Sequence, residues 1–342
     1  MKKWNGYQKG INLGGWFSQC VYTEEHYDSF IKEEDIKVIK SWGMDHIRLP
    51  IDYNLVEDDK GNKIQKGYDR LEECISWCRN NGLNMILDLH KTVGFSFYEG
   101  DGEVGFFDNP AYQERFYQLW ESLAKSFGKY KDMLAFELLN EVTEKSYCDK
   151  WNEISTECIK RIRAIAPDIS ILVGGYYNNS VSAVKDIALP YDENVIYNFH
   201  CYEPLIFTHQ GASWIPTMDT SFRISVDAPY KEMEKAGSTM LQQMTTGFPG
   251  FDPDDTLSEV YFEKIFEEAL KTAEERNVVL YCGEYGVIEL ASPEDAVKWF
   301  SLINGVFTKY GIGRAAWSYK KMDFGISDSR MDNVREELLK YL

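Results

Sequence analysis

The sequence predicts an α/β fold in which eight parallel strands close into a (β/α)8 TIM barrel with an inserted subdomain after the sixth strand. Three observations carry that expectation. Short apolar runs alternate with amphipathic helical patterns along the chain, the order that builds parallel sheets. Eight such runs are present, and most are followed by a helical stripe, the count at which a parallel sheet closes on itself. The length of 342 residues suits one barrel domain spanning 1–342. An open doubly wound sheet is the alternative. It requires a Gly-rich phosphate turn after the first strand, and INLGGW at 11–16 lacks that spacing.

Taken in order, the expected strands cover 10–13, 46–49, 84–89, 134–139, 169–173, 195–199, 278–282 and 313–317. Between the second and third, Leu71, Cys74, Ile75 and Cys78 form a helical stripe that stops at Gly82, a helix-ending residue. Before the fourth, Asp108, Asn109 and Pro110 precede a stripe of Phe116, Leu119, Trp120 and Leu123; proline fits the first helical position, where its missing N–H costs nothing. Ser292, Pro293 and Glu294 repeat the device before Val297 and Phe300, ahead of the eighth strand. The connection 205–258 is too long for a structureless loop in a compact domain and is read as the insertion, lying over the barrel mouth.

Composition excludes several function classes. Hydrophobic residues make up 44% of the chain, enough for a core, so disorder is excluded. A net charge of -18 opposes phosphate-backbone binding, and no partner nucleic acid is expected. No run of about 18 apolar residues exists, so no membrane span is expected. The 22 Tyr and 9 Trp suit ligands with flat apolar faces, sugars among them. Seven cysteines cannot all pair and show no C-x-x-C spacing, which fits reduced thiols. MKKWNGYQKG carries charge but no apolar stretch of the signal-peptide kind, so a cytoplasmic protein is expected, or a secreted one if a leader precedes this sequence.

Polar residues gather at the expected strand ends: Arg48 after HIRL, His90 after LDL, Asn140 and Glu141 in FELLNEV, His200 and Tyr202 after YNF, Glu284 after LYCG, and Trp317 in AAWSY. In a barrel, the C-terminal strand ends form the active site. Glu141 alone reads as a surface glutamate opening a loop. With Glu284 it forms a carboxylate pair facing across the mouth, the requirement for cleaving a glycosidic bond. Glu137 is expected inside the barrel as a packing residue, where a buried charge needs a partner. His90 and His200 as metal ligands are the weaker reading, since the first strand lacks H-x-H; no metal or cofactor is expected. His209 and Trp214, in the insertion, read equally as packing or as substrate contacts. Trp16 reads as core or rim, and Trp42 and Trp77 as helix packing.

Taken together, INLGGW, HIRLP, LDLH, FELLNEV, NFHCYEP, YCGEYG and AAWSYKKMD resemble glycoside hydrolase family 5, in particular its clostridial endoglucanase C type. The resemblance implies a retaining β-glycosidase with Glu141 as general acid/base and Glu284 as nucleophile. It implies that Asn140 holds the sugar 2-hydroxyl, Arg48 and Tyr202 donate to the nucleophile, His200 holds the acid/base, His90 lines the site and Trp317 forms its floor. Two departures stand out: HKTVG, with Lys91 and Val93, replaces the family's second histidine and Pro-Gly, and Val142 replaces a common proline. The expected substrate is a β-linked glucan or oligosaccharide. An exo-acting glycosidase remains open beside the endo-acting one, and a non-catalytic carbohydrate-binding barrel is the third reading.

Overall fold

The computed structural model describes residues 2–244 and 247–342. Eight strands form one closed barrel in chain order: β1 Lys9–Asn12, β2 His46–Asp52, β3 Asn84–Lys91, β4 Leu134–Glu137, β5 Ser170–Gly174, β6 Val195–His200, β7 Val279–Tyr285 and β8 Gly313–Ala316. All neighbours pair in parallel. The main helices form where capping chemistry starts them. Asn109 accepts from Ala111 N–H and Ser292 from Asp295 N–H, each with proline just inside the helix. The helix Gln65–Asn80 ends as expected: Gly82 adopts φ +64°, Leu83 N–H reaches Cys78 O at 2.9 Å and Gly82 N–H reaches Arg79 O at 3.2 Å.

Strand periodicity stacks the barrel interior in layers, because alternate residues point inward. At the bottom Ile86, Ala135, Leu172, Ile196, Tyr281 and Ala315 pack together under Tyr7, which stacks on Trp4 at 3.8 Å. Two residues further along the same strands the interior turns polar: Asp88 follows Ile86, Glu137 follows Ala135 and Asn198 follows Ile196, all fully buried. Asn12 and Arg48 complete this layer from β1 and β2. One more step brings His90 on β3 and His200 on β6 to the mouth. Trp16 is core, stacked on Phe17 and Trp77, and Trp42 packs against Tyr319.

Two boundaries differ from expectation for reasons that shape the site. β4 ends at Glu137 rather than 139; beyond it Asn140 N–H donates to Leu89 O on β3 at 3.0 Å and Glu141 adopts φ +43°. β7 runs on to Tyr285 with a register irregularity between Cys282 and Tyr285. Strict alternation would send Glu284 outward from the inward Tyr281; the irregularity turns it into the mouth. Gly283 permits this, since a Cβ there would lie 2.7 Å from the Asn198 side chain.

Between β6 and the helix Glu259–Glu275 the chain forms the helices Leu205–Thr208 and Tyr230–Met240. Tyr230 stacks on Phe248 at 4.4 Å, and Phe251 packs on Tyr261 of the barrel helix. Thr245 and Thr246, inside the expected insertion, lie outside the described residues. All seven cysteines are free thiols, five of them buried. No helix among the described residues is long and apolar enough to cross a membrane.

Candidate active site

Arg48 is the hub. Its Nη1 donates to Glu284 Oε1 at 2.6 Å and to Asn12 Oδ1 at 3.0 Å. Its Nε and Nη2 donate to the two oxygens of Glu137 at 2.7 and 2.8 Å, and Nη2 also reaches Asn140 Oδ1 at 2.9 Å. Asp88 lies 3.1 Å from Nη2. Burial pulls the guanidinium's pKa down, but Asp88, Glu137 and Glu284 outweigh it and hold the group above its usual value. Glu137 is the buried interior residue expected from sequence, and its partners are Arg48 and Asn198, whose Nδ2 donates to Oε1 at 2.8 Å.

Both oxygens of each mouth carboxylate have a hydrogen-bond partner. Glu284 receives Arg48 on Oε1 and the Tyr202 hydroxyl on Oε2 at 2.9 Å. Glu141 is held through Oε1 by His200 Nδ1 at 2.8 Å and through Oε2 by Asn178 Nδ2 at 3.0 Å. One oxygen of each, together with the His200 ring nitrogen, lie within 4.8 Å of one another. Burial pushes the Glu141 carboxyl above its usual range, against the pull of Asn178, His90 and Arg48. Burial pushes His200 down to about 4, so the ring is neutral above that pH, where a carboxyl with a raised pKa such as that of Glu141 gives up its proton. A neutral imidazole can hold Glu141 in place without forcing it to ionise.

Asn140 reaches both Arg48 and His90, the latter at 3.4 Å. His90 Nδ1 meets Asp88 Oδ2 at 2.6 Å, and its ring stacks parallel on Trp317 at 5.9 Å. Burial pushes the Asp88 carboxyl up to about 7 against the pull of Arg48. Trp317 lies flat because Gly14 has no side chain; a Cβ there would sit 2.8 Å from the indole. The structure thus gathers Arg48, His90, Asn140, Glu141, His200, Tyr202, Glu284 and Trp317 at one mouth. His209 stands behind, edge-on to Tyr202 at 5.1 Å, with Trp214 beyond it, 45% exposed and 6.1 Å from His209.

Sequence reasoning missed Asn12, Asp88, Asn178 and Asn198. Asp88 had a signal, since LDLH places it two residues before His90 on the same strand face. Asn178 had a weaker one: it sits in GGYYNNS, where Tyr177, Asn178 and Asn179 all adopt positive φ. Among the described residues, the one set of side chains spaced to share a metal ion is Glu141, His200 and Glu284. The guanidinium 2.6 Å from Glu284 opposes a dication there.

Two carboxylates this close, one with a raised pKa and the other bound by a cation and a hydroxyl, can divide acid and nucleophile roles at a single bond. A family model described as Cellulase (glycosyl hydrolase family 5) matches residues 4–323. Cellodextrinase A of Ruminococcus flavefaciens is 50% identical over 314 residues, covering 92% of this chain and 86% of that protein. Endoglucanase C of Acetivibrio thermocellus is 36% identical over 340 residues, covering 98% of each. In fold, the chain superposes on Thermotoga maritima Cel5A in complex with cellobiose with a TM-score of 0.78 at 24% identity, covering 98% and 97% of the two chains. The chain therefore belongs to the cellulase family, glycosyl hydrolase family 5, and is a glycoside hydrolase.

Proposed function

We propose that the chain hydrolyses β-glucosidic bonds in β-glucans or in cello- and mixed-linkage oligosaccharides, with retention of configuration, and that Glu284 and Glu141 carry the reaction. The observation that carries this reading is the approach of the two carboxylates, one oxygen of each lying within 4.8 Å of one of the other. Retaining chemistry needs carboxyl groups about 5–5.5 Å apart, whereas inverting chemistry leaves about 6.5–9.5 Å for a water. The names of the two relatives, a cellodextrinase and an endoglucanase, agree with a β-glucan substrate.

In this scheme Glu284 attacks the anomeric carbon while Glu141 gives its proton to the departing glycosidic oxygen. Asn140 donates to the 2-hydroxyl of the sugar, which lies over Trp317. Formation of the glycosyl ester removes the charge of Glu284. Glu141 then loses a like-charged neighbour and ionises more readily, which suits it to take a proton from the incoming water. Water displaces Glu284 from the anomeric carbon, and Glu141 regains its proton. His209 and Trp214, at the start of the 205–258 insertion, would extend the cleft behind Tyr202.

The test is a time course of product sizes from a soluble mixed-linkage β-glucan, with Glu284→Gln alongside. Fragments formed by the native chain and absent with Glu284→Gln support the reading. Undiminished hydrolysis by a folded Glu284→Gln variant overturns it.

A further inference from the structure

Beside the reacting pair lies a second polar cluster that the chemistry above does not use. Asp52, at the end of β2, is 2% exposed, yet its Oδ1 has no hydrogen-bond partner. Its Oδ2 accepts from the Tyr22 hydroxyl at 2.5 Å and lies 3.4 Å from Lys91 Nζ. Lys91 follows His90 directly; its ammonium also donates to the Tyr22 oxygen at 2.9 Å and lies 3.4 Å from Asp101. A buried carboxylate oxygen left without a donor is costly, which makes it a group awaiting one.

The loop after β3 brings this cluster to the cleft. Phe97 meets the His90 ring edge-on at 5.3 Å, on a ring that also stacks on Trp317. Ser96 donates to Asp101 at 2.8 Å, so contacts run unbroken from His90 through Phe97, Ser96, Asp101 and Lys91 to Asp52. The loop is pinned at its far side as well: Glu103 accepts from Gly94 N–H at 2.7 Å and from the Tyr53 hydroxyl at 2.6 Å.

Resting on the proposed roles, the side of the cleft follows. Glu141 protonates the leaving oxygen and is braced by Asn178 from beyond β5, so the departing half of the substrate lies on that side. The sugar that becomes attached to Glu284 lies toward Asn140 and His90. The chain continuing past β3 and β2 is therefore the non-reducing half. We propose that Asp52 and Lys91 bind the free hydroxyls of a non-reducing terminal glucosyl unit, making this chain a hydrolase that recognises chain ends of β-1,4-linked oligosaccharides. The carboxylate accepts and the ammonium donates, the complement of the vicinal 3- and 4-hydroxyls of a terminal unit; interior units keep the 2,3-diol, so the discrimination rests on the 4-hydroxyl. An interior unit of a 1,4-linked chain has no free 4-hydroxyl to offer. A site built around a hydroxyl discriminates strongly against an analogue that lacks it.

The experiment compares cellotetraose with cellotetraose carrying a 4-O-methyl cap on its non-reducing terminal glucosyl unit, using the whole chain. The expected result is disaccharide as the early product and a kcat/KM at least ~10-fold lower for the capped substrate, expressed mainly in KM. In Lys91→Met and Asp52→Asn the ratio between the two substrates falls toward one, a change that general damage to the fold does not produce. If either variant fails to fold, the ratio for the native chain still decides. Equal turnover of both substrates by the native chain overturns the inference while leaving β-glucoside hydrolysis intact. No turnover of either, nor of a soluble mixed-linkage β-glucan, overturns the functional reading beneath it.

Discussion

Arg48 and Glu137 form a two-pronged ion pair in the barrel interior, with Nε and Nη2 of the guanidinium 2.7 and 2.8 Å from the two carboxylate oxygens. The remaining Nη1 reaches Glu284 at 2.6 Å. One planar cation thus fixes a mouth carboxylate to the polar layer of the barrel interior. The fork matters, since a point charge cannot serve both directions at once.

Replacing Arg48 by Lys should therefore damage stability and activity together. A lysine ammonium can meet one of the carboxylates but leaves the others buried without a matched donor, and breaking a buried pair costs about 3–5 kcal/mol. Thermal unfolding should show a lower Tm, and kcat on a soluble β-glucan should fall by at least ~100-fold, since Glu284, the proposed nucleophile, loses its positioning. An unchanged Tm with full activity would contradict the hub role.

The pH dependence of activity should report Glu141 through Asn178. The Asn178 amide is the largest of the interactions that draw the Glu141 pKa down against burial. Asn178→Ala removes it, so the carboxyl should hold its proton to higher pH. The basic limb of kcat/KM, which reports macroscopic values of the coupled pair, should move upward. A limb that stays in place, or moves to lower pH, would show that Asn178 does not act on this proton.

Leaving-group dependence separates acid from nucleophile. Glu141→Ala should lose most activity on cello-oligosaccharides, whose departing sugar needs a proton. Dinitrophenyl β-cellobioside, whose leaving phenolate needs none, should still release its phenolate in a rapid first step. Glu284→Ala should lose that step as well. Equal losses on both substrates in Glu141→Ala would assign the residue a role other than proton donor.

Much of this was legible in the sequence, and the physical reason is specific. Strands buried on both faces read as continuous apolar runs, so NMILDL and VIYNF announced themselves, and polar residues just past such runs fall at the mouth. The period of two also required a buried position for Glu137. It could not name Arg48 as the partner, because that contact joins positions 89 residues apart. Glu284 is the opposite case: alternation points it outward, and only the irregularity near Gly283 turns it in. Asn178 depends on three successive left-handed residues, a backbone path that residue type hints at and does not dictate. The pairing of Lys91 with Asp52 was likewise invisible, since it depends on how β2 and β3 end side by side.

Stability should also depend on pH through His209, which stands behind the reacting pair rather than in it. Its ring packs among Tyr202, Trp214 and Phe324, and burial holds its pKa down to about 4. An unfolded histidine titrates near 6.5. Between those values the unfolded chain binds a proton that the folded chain refuses, so the contribution of His209 is fully present above about 6.5 and is lost as pH falls through about 4. The buried carboxyls of Glu141, Glu137 and Asp88 act in the opposite sense, because their raised pKa values let the folded chain hold protons that the unfolded chain releases. Their contribution shrinks as pH rises, and Asp88 carries that trend up to about 7. His46, His90 and His200, whose pKa values burial also lowers, act in the same sense as His209, so the native slope between pH 4 and 6.5 is the balance of these histidines against the raised carboxyls. His209→Gln removes one of the opposing terms, so the variant should lose less stability on acidification over that window than the native chain does. Denaturant unfolding at a series of pH values measures the difference directly. Parallel curves for the two proteins would mean that His209 takes up its proton in the folded state as readily as in the unfolded one, and that the aromatic cage around it is open to water.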